Sequence, residues 1–276
     1  MADQPPTGAD LAALLRVKPG SRARLARVDP NETFGHAKKA AVPLMDRSLQ
    51  RLSDFQERLY ASKPGALLIL LQGMDTSGKD GTIKHVMRAY NPQGVSITSF
   101  GVPSDEERGH DFLWRHHHAT PLRGWVGIHN RSHYESVLIE RVEELAPAKV
   151  WHGRYDRINE WEAGLSAEGT RIVKFMLHID LDEQRARLQA RLTDPTKQWK
   201  FNVDDLKVRA RWDGYMGAYD DALTRCSTAD SPWYVIPANR KWFRNLAVAE
   251  ILCTVMDEMK LRFPDRTEEL KGVVIE

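Results

Sequence analysis

Three glycines, two aspartates and a lysine fall within residues 73–81 of this chain. Gly73-Met74-Asp75-Thr76-Ser77-Gly78-Lys79 fits the spacing G-x-x-x-x-G-K, and Asp80-Gly81-Thr82 follow. Glycines so placed let the backbone turn tightly enough to aim several N–H groups at one anion. The lysine then reaches over the outer phosphates, and the next helix adds the positive end of its dipole. Gly73, Thr76, Ser77, Gly78, Lys79, Asp80 and Gly81 are therefore the candidate phosphate contacts. The simpler alternative is a glycine-rich turn between a strand and a helix. An unbroken apolar run, Ala66–Leu71, precedes the loop and a helix is expected over 82–89, which is the context phosphate binding requires. Two acidic residues depart from the common pattern. Asp80 stands where most such loops carry the Ser or Thr that reaches magnesium. Asp75 lies inside the loop, where a carboxylate repels phosphate unless a cation stands between them. Asp75 is thus a candidate Mg2+ ligand or general base, beside Lys79 as the catalytic cation.

A second set of groups follows the apolar run Trp125–His129: Asn130-Arg131-Ser132-His133-Tyr134-Glu135. Phosphate-transfer loops commonly draw a magnesium-binding carboxylate from the end of a neighbouring strand. Here that position holds Asn130, whose amide oxygen can accept from a hydrated cation but brings no charge. More of the cation binding falls on Asp75, with Glu135 as a helper. Arg131 is placed to meet phosphate, with a structural ion pair as its alternative role. Further cations gather between Arg185 and Arg225, among them Arg187, Arg191, Lys197 and Lys200. A solvated helical face accounts for any one of them singly; their clustering favours a polyanion track. Arg154 and Arg157 form another basic pair that suits acceptor phosphates. His116-His117-His118 invites a metal, but successive residues do not converge on one ion, and no acidic or cysteine partner has ligand spacing nearby.

These groups need a frame. Apolar runs recur at 95–100, 125–129, 172–179 and 233–237, separated by helical stretches around Leu44–Leu59, Val137–Leu145 and Leu246–Met256. Such alternation predicts an α/β fold, a mainly parallel sheet with helices on both faces. Residues 1–40, rich in Pro, Gly, Arg and Lys, read as an extended arm, and 41–276 as a single domain. The segment from about 181 to 225 interrupts the rhythm as helix, loop, helix, the pattern of a lid. Asp180 with Glu183 forms a candidate capping box at its start.

Composition bounds the rest. Forty basic against thirty-eight acidic residues leave a net charge of only +2, so any polyanion must meet a local patch rather than a uniformly basic surface. Neither a signal peptide nor a run long enough to span a bilayer is evident. Cys226 and Cys253 are the only cysteines, too few for a disulfide framework, and a cytoplasmic location is expected.

Met74–Thr82, Asn91-Pro92-Gln93-Gly94-Val95, Asn130–Glu135, Asp194-Pro195 with Trp199-Lys200-Phe201, Pro232–Ala238 and Lys241-Trp242 occur in this order. Together they resemble the polyphosphate kinase 2 family, over roughly residues 16–260. The Asn130-Arg131-Ser132 form resembles the branch called class III, whose members phosphorylate both AMP and ADP; other branches carry Asp at that position. The resemblance implies a three-layer α/β/α P-loop kinase fold with a helical lid. It also implies reversible, Mg2+-dependent phosphoryl exchange between inorganic polyphosphate and AMP, ADP or ATP, in a homo-oligomer. Asp75 and Lys79 take the family's catalytic loop positions, Asn130 and Arg131 its second motif, and Arg187, Arg191, Lys197 and Lys200 its lid cations. An ATP-dependent nucleoside or small-metabolite kinase shares core and lid and is the rival reading. A regulator that binds nucleotide or polyphosphate without turnover is a second. Neither a nucleic-acid nor a membrane partner is expected.

Overall fold

The computed structural model describes residues 5–275. Five strands, β1 (Ala66–Gln72), β2 (Val95–Ser99), β3 (Val126–Asn130), β4 (Thr170–His178) and β5 (Trp233–Pro237), form one sheet in the order β2-β3-β1-β4-β5. Every pairing is parallel, with Leu71 of β1 opposite Asn130 of β3 and Phe175 of β4. A parallel sheet needs cover on both faces, which is why β1 is buried along its whole length.

Alternation along β1 sorts its side chains between two cores. Leu67, Ile69 and Leu71 pack on one face beneath α1 (Gly8–Leu15), α2 (Lys38–Ser62) and α11 (Lys241–Glu258). Leu68 and Leu70 point the other way, toward Tyr134, α7 (Ala148–Ala167) and α10 (Trp212–Cys226). The result is the three-layer arrangement expected. Each expected strand is present, with ends shifted by no more than a residue or two.

Three local expectations are corrected. The N-terminal segment is not simply an extended arm: Leu11 and Leu15 of α1 are buried against α11, and the Gly8 N–H donates to the buried Glu250 carboxylate at 2.8 Å. Farther on, the Val17 N–H donates to the Trp233 carbonyl at 2.9 Å, tying the segment to the edge of β5. The apolar signal of α1 spans only about two turns among Pro, Gly and Arg, too short to stand out by period. Residues 1–4 of the expected arm lie outside the described residues. Next, the stretch around Val137–Leu145 is not one helix. A 3-10 turn (His133–Val137) gives way to α6 (Ile139–Val142), and Glu144 takes φ +56°, ending the helix. Last, only half of the capping box forms. Asp180 accepts from the Glu183 N–H at 2.7 Å, whereas the Glu183 carboxylate turns to Arg187 Nε, also at 2.7 Å.

The remaining helices are α3 (Lys79–His85), α4 (Asp105–Arg108), α5 (Trp114–His118), α8 (Leu181–Thr193) and α9 (Asp204–Ala210). Helices α8, α9 and α10 make up the segment read as a lid. Tyr215, Tyr219 and Leu223 anchor α10 in the core, whereas α8 buries only Gln184 and Leu188 and α9 buries no residue fully. Among the described residues, no helix is long and apolar enough to cross a membrane.

Candidate active site

The loop after β1 lies at the carboxyl ends of the strands, where neighbouring connections leave the sheet in opposite directions and open a crevice. Gly73 and Gly78 take φ +147° and +108°. A Cβ on Gly78 would stand 1.8 Å from Arg244 Nη1, and one on Gly73 would stand 2.7 Å from the Leu177 carbonyl. Glycine is thus required by both torsion and space. Thr76 (φ +66°) and Arg131 (φ +60°) hold the left-handed conformation without that excuse. Such strain, on the order of 1–3 kcal/mol per residue, persists where the surroundings impose it, commonly at working sites. Helix α3 starts at Lys79, three residues earlier than expected, because the loop runs straight into its first turn. The Thr82 N–H donates to Gly78 O at 2.9 Å.

Lys79 lies buried over the loop, its Nζ donating to the Gly73 carbonyl at 2.7 Å. Burial, and then the charge of Arg131, bring it down to about 8, although Asp75, Glu135 and Asp80 pull the other way. Asp75 Oδ1 accepts from Arg131 Nη2 at 2.9 Å, so the second motif closes onto the first. Burial alone would lower Arg131; Glu135 and Asp75 outweigh it and hold the guanidinium firmly charged. Burial pushes Glu135 up against the pull of Arg131 and Lys79.

Asn130 ends β3 next to β1, as the strand order requires. Its Nδ2 donates to Asp80 Oδ1 at 3.0 Å, leaving Oδ1 buried without a partner. Asp80 also lies 3.8 Å from Lys200 Nζ. The carboxylate in the usual hydroxyl position therefore links the loop, β3 and the connection between α8 and α9. A divalent cation fits the donor set. Asp75 offers a carboxylate and Asn130 an unpartnered oxygen, both hard ligands, and magnesium typically takes one or two protein oxygens with phosphate and water completing its shell. Among the described residues no group of three or more His, Cys, Asp or Glu is arranged to hold a metal by itself.

A cavity of about 1140 Å3 joins these groups to α8, the α8–α9 connection and α11; Asp75, Lys79, Asn130, Arg131, Arg191, Lys197 and Lys200 all line it. Arg187 lines it too, but as a clamp. Its Nη1 donates to Thr76 O (2.8 Å) and Ser77 O (3.0 Å), its Nη2 to Ala238 O (2.6 Å) and Asn239 O (3.0 Å), and its Nε to Glu183. A guanidinium has five N–H donors, and all are engaged: four fix the loop against the end of β5, and Nε holds Glu183 on α8. Arg191 pairs with Asp205 at 3.3 Å. Burial, and then Asp75, lift Asp205 to about 6.

Arg154 belongs to a different place. It donates to Ser136 O and to Glu140 and lines a smaller cavity of about 190 Å3 with Glu107, Arg115 and Glu135. Glu135 borders this space while remaining coupled to Lys79 and Arg131. Arg157 is exposed on α7 and lines neither cavity. The three consecutive histidines diverge: His116 is buried against Phe100, His117 accepts from Trp161 Nε1 at 3.2 Å, and His118 meets Trp114 O.

Behind the second motif lies a charged network unseen in the sequence. Lys174 Nζ donates to Glu162 Oε2, to Tyr134 OH (2.9 Å) and to Cys226 O (2.7 Å). Glu162 Oε1 accepts from Tyr134 OH (2.9 Å) and meets His133 Nε2 at 3.1 Å. The Lys174 and Glu162 side chains are 0% and 1% exposed. Asp205, Lys38, Lys241 and Arg244 are further cavity residues absent from the expected set. Their positions in sequence carry no spacing signal, because three separate elements, α2, α9 and α11, bring them together.

Known proteins place this architecture. A family model described as polyphosphate kinase 2 matches residues 37–264. An AMP/ADP-polyphosphate phosphotransferase of Meiothermus ruber is 46% identical, the match covering 95% of this chain and 98% of that protein. An ADP-polyphosphate phosphotransferase of Rhodopseudomonas palustris is 43% identical over 91% and 92%. The crystal structure of polyphosphate kinase 2 from Arthrobacter aurescens superimposes with a TM-score of 0.90 at 44% identity, covering 94% of this chain and 93% of that one. The family model covers most of the chain and the relatives match it over nearly their whole length, so this chain belongs to the polyphosphate kinase 2 family.

Proposed function

We propose that this chain transfers the terminal phosphate of inorganic polyphosphate to AMP and to ADP, reversibly, in the P-loop cavity. The Asp75–Arg131 pair carries this reading among the kinase alternatives. A hydroxyl acceptor, as on a nucleoside, needs a base to take its proton. Asp75, the carboxylate inside the loop, is held by Arg131 and is poorly suited to that task. A nucleotide phosphate oxygen is already ionised near neutral pH and needs no base. It attacks the terminal phosphorus of polyphosphate, the bridging P–O bond breaks, and the shortened chain leaves with the electron pair.

Catalysis is then positioning and charge neutralisation. The backbone of 73–81 and Lys79 hold the phosphates under transfer, and Arg131 offsets the charge spread over the equatorial oxygens. Glu135 and Arg154 border the smaller cavity, which suits the acceptor nucleotide. Arg191, Lys197 and Lys200 exchange carboxylate partners for phosphate as the lid segment closes. Mg2+, held by Asp75 and Asn130, would supply neutralisation between donor and acceptor phosphates. A homo-oligomer in the cytoplasm is part of the same proposal; light scattering on the purified chain tests the first element.

The deciding experiment incubates the chain with Mg2+, long-chain polyphosphate and AMP, and follows ADP and ATP, with ATP plus nucleosides as the competing reaction. Both products are expected from polyphosphate, and D75N is expected to form neither while keeping native circular dichroism. Absence of both products with the wild-type chain would overturn the reading, and phosphorylation of nucleosides from ATP instead would favour the rival.

A further inference from the structure

Arg131 works from a backbone conformation that a non-glycine residue does not adopt readily, with φ at +60°. Its side chain is 43% exposed in the large cavity, and among the described residues its guanidinium bonds only to Asp75. Its aim therefore depends on how firmly the chain is held on either side of it. Upstream, β3 holds it: Asn130 is in register with Leu71, and the Arg131 N–H donates to the Leu71 carbonyl at 3.0 Å. Downstream, the chain leaves the sheet for the 3-10 turn His133–Val137, and there the buried charged network takes over.

Gln72 Nε2 donates to Ser132 Oγ at 3.0 Å. The next two residues both meet Glu162 Oε1, through His133 Nε2 and Tyr134 OH, and Lys174 Nζ donates to the same Tyr134 hydroxyl. The holders sit on rigid elements, Glu162 on α7 and Lys174 on β4 opposite Leu70 of β1. An ammonium has three donors, and Lys174 uses them on Glu162, Tyr134 and the Cys226 carbonyl, so it is not free to swing. Burial alone would raise Glu162; Lys174 and then His133 outweigh it and keep the carboxylate ionised. Burial lowers His133 against the pull of Glu162, so the neutral ring donates from Nε2. Its Nδ1 has no partner among the described residues, which leaves Glu162 to orient the ring. Apolar side chains of similar volume commonly match a buried ion pair in stability, whereas a pair with every bond made can specify one geometry. One geometry is what the turn after Arg131 requires.

We infer that Glu162 and Lys174 are positioning residues for phosphoryl transfer: through His133 and Tyr134 they fix the turn that aims Arg131 at Asp75 and at the phosphoryl group under transfer. This rests on the functional reading above and adds a pair of residues that line neither cavity. Arg131 meets charge that is spread most widely in the transition state, so a misaimed guanidinium lowers kcat rather than raising KM. A displacement of about 1 Å is enough for about a hundredfold.

The test compares two replacements that remove both charges. E162Q/K174M keeps an amide oxygen at position 162 for Tyr134 and His133; E162L/K174M offers them nothing. Urea unfolding and circular dichroism set conditions under which each chain is folded, and kcat and KM are then measured with polyphosphate and ADP. E162L/K174M is expected to lose about a hundredfold in kcat, with both KM values within about threefold of wild type. E162Q/K174M should keep kcat within about fivefold of wild type, because the bonds to the turn survive. In an R131K background, E162L/K174M should cost less than about threefold more, since the group it aims is already compromised. Y134F removes only the bridging hydroxyl and decides the matter if the apolar pair leaves the chain unfolded; a fall of about tenfold in kcat alone is expected. Equal loss of kcat in the two charge-removing variants, full additivity with R131K, or wild-type kcat in E162L/K174M or Y134F overturns the positioning role and leaves the functional reading intact. A wild-type chain inactive with polyphosphate overturns that reading itself.

Discussion

Replacing Lys79 with Met is expected to abolish turnover and yet stabilise the folded chain. In the folded state burial and Arg131 lower Lys79 from 10.5 to about 8. At about 1.4 kcal/mol per pH unit, holding it charged costs about 3 kcal/mol. Methionine of similar length removes that cost but forfeits the Nζ bond to the Gly73 carbonyl, worth about 1 kcal/mol. The net gain near pH 7 is about 2 kcal/mol, or about 4–8 °C in Tm for a chain of this size. The sign with pH follows from proton counts. Between pH 8 and 10.5 the folded state holds fewer protons than the unfolded one, so wild-type stability rises with pH across that window. Below it, lysine is charged in both states and the cost is carried in full. K79M lacks this rise, so the gap between the two proteins should close as the pH climbs through the window. Thermal unfolding of both proteins from pH 6.5 to 10.5 measures it. A K79M chain no more stable than wild type at pH 7, or a gap that ignores pH, would refute the reasoning. The same depression implies that polyphosphate binding above pH 8 takes up a proton, measurable by calorimetry in buffers of different ionisation enthalpy.

E162Q leaves Lys174 charged and unpaired in the core; a loss of about 3–5 kcal/mol is expected in urea unfolding. E162Q/K174M should recover part of that loss, and a single variant within about 1 kcal/mol of wild type would count against the network. R187K keeps a positive charge but offers three donors in place of five. Its kcat/KM should fall roughly a hundredfold, about 2.7 kcal/mol, with native circular dichroism; near-wild-type turnover would show that the clamp on the P-loop is dispensable.

Where the chemistry depends on neighbours in sequence, the residues announce it. The turn from Gly73 to Gly81 needs positive φ at Gly73 and Gly78, and only local spacing is required to see that. Buried apolar runs such as β1 and β5 read as parallel strands because no polar alternation interrupts them, while β2 at the sheet edge alternates with Ser and Thr and is only partly buried; all five appear. Asn130 at the end of β3 follows once β3 is placed beside β1. Helix α1 was less legible, since about two turns of helix compete poorly with a Pro- and Gly-rich composition.

Charge balance was the least legible property. Arg187, Arg191, Lys197 and Lys200 look in sequence like a free basic track, yet each finds a carboxylate in the fold, and Arg187 has no donor left over. Arg244, in contrast, sits in an apolar helix that reads as plain core, and folding carries it under Gly78 without a counter-ion.

The sequence by itself determined the phosphate loop, its two unusual aspartates, the parallel α/β frame and the family, because each rests on spacing along one stretch of chain or on several such stretches in order. Only the tertiary structure decided that Asp75 is held by Arg131, that Asp80 latches Asn130 and Lys200, and that the uncompensated positive charge faces the cavity from α11. Coulomb energy and desolvation depend on distance and burial in three dimensions, and neither is a function of position along the chain.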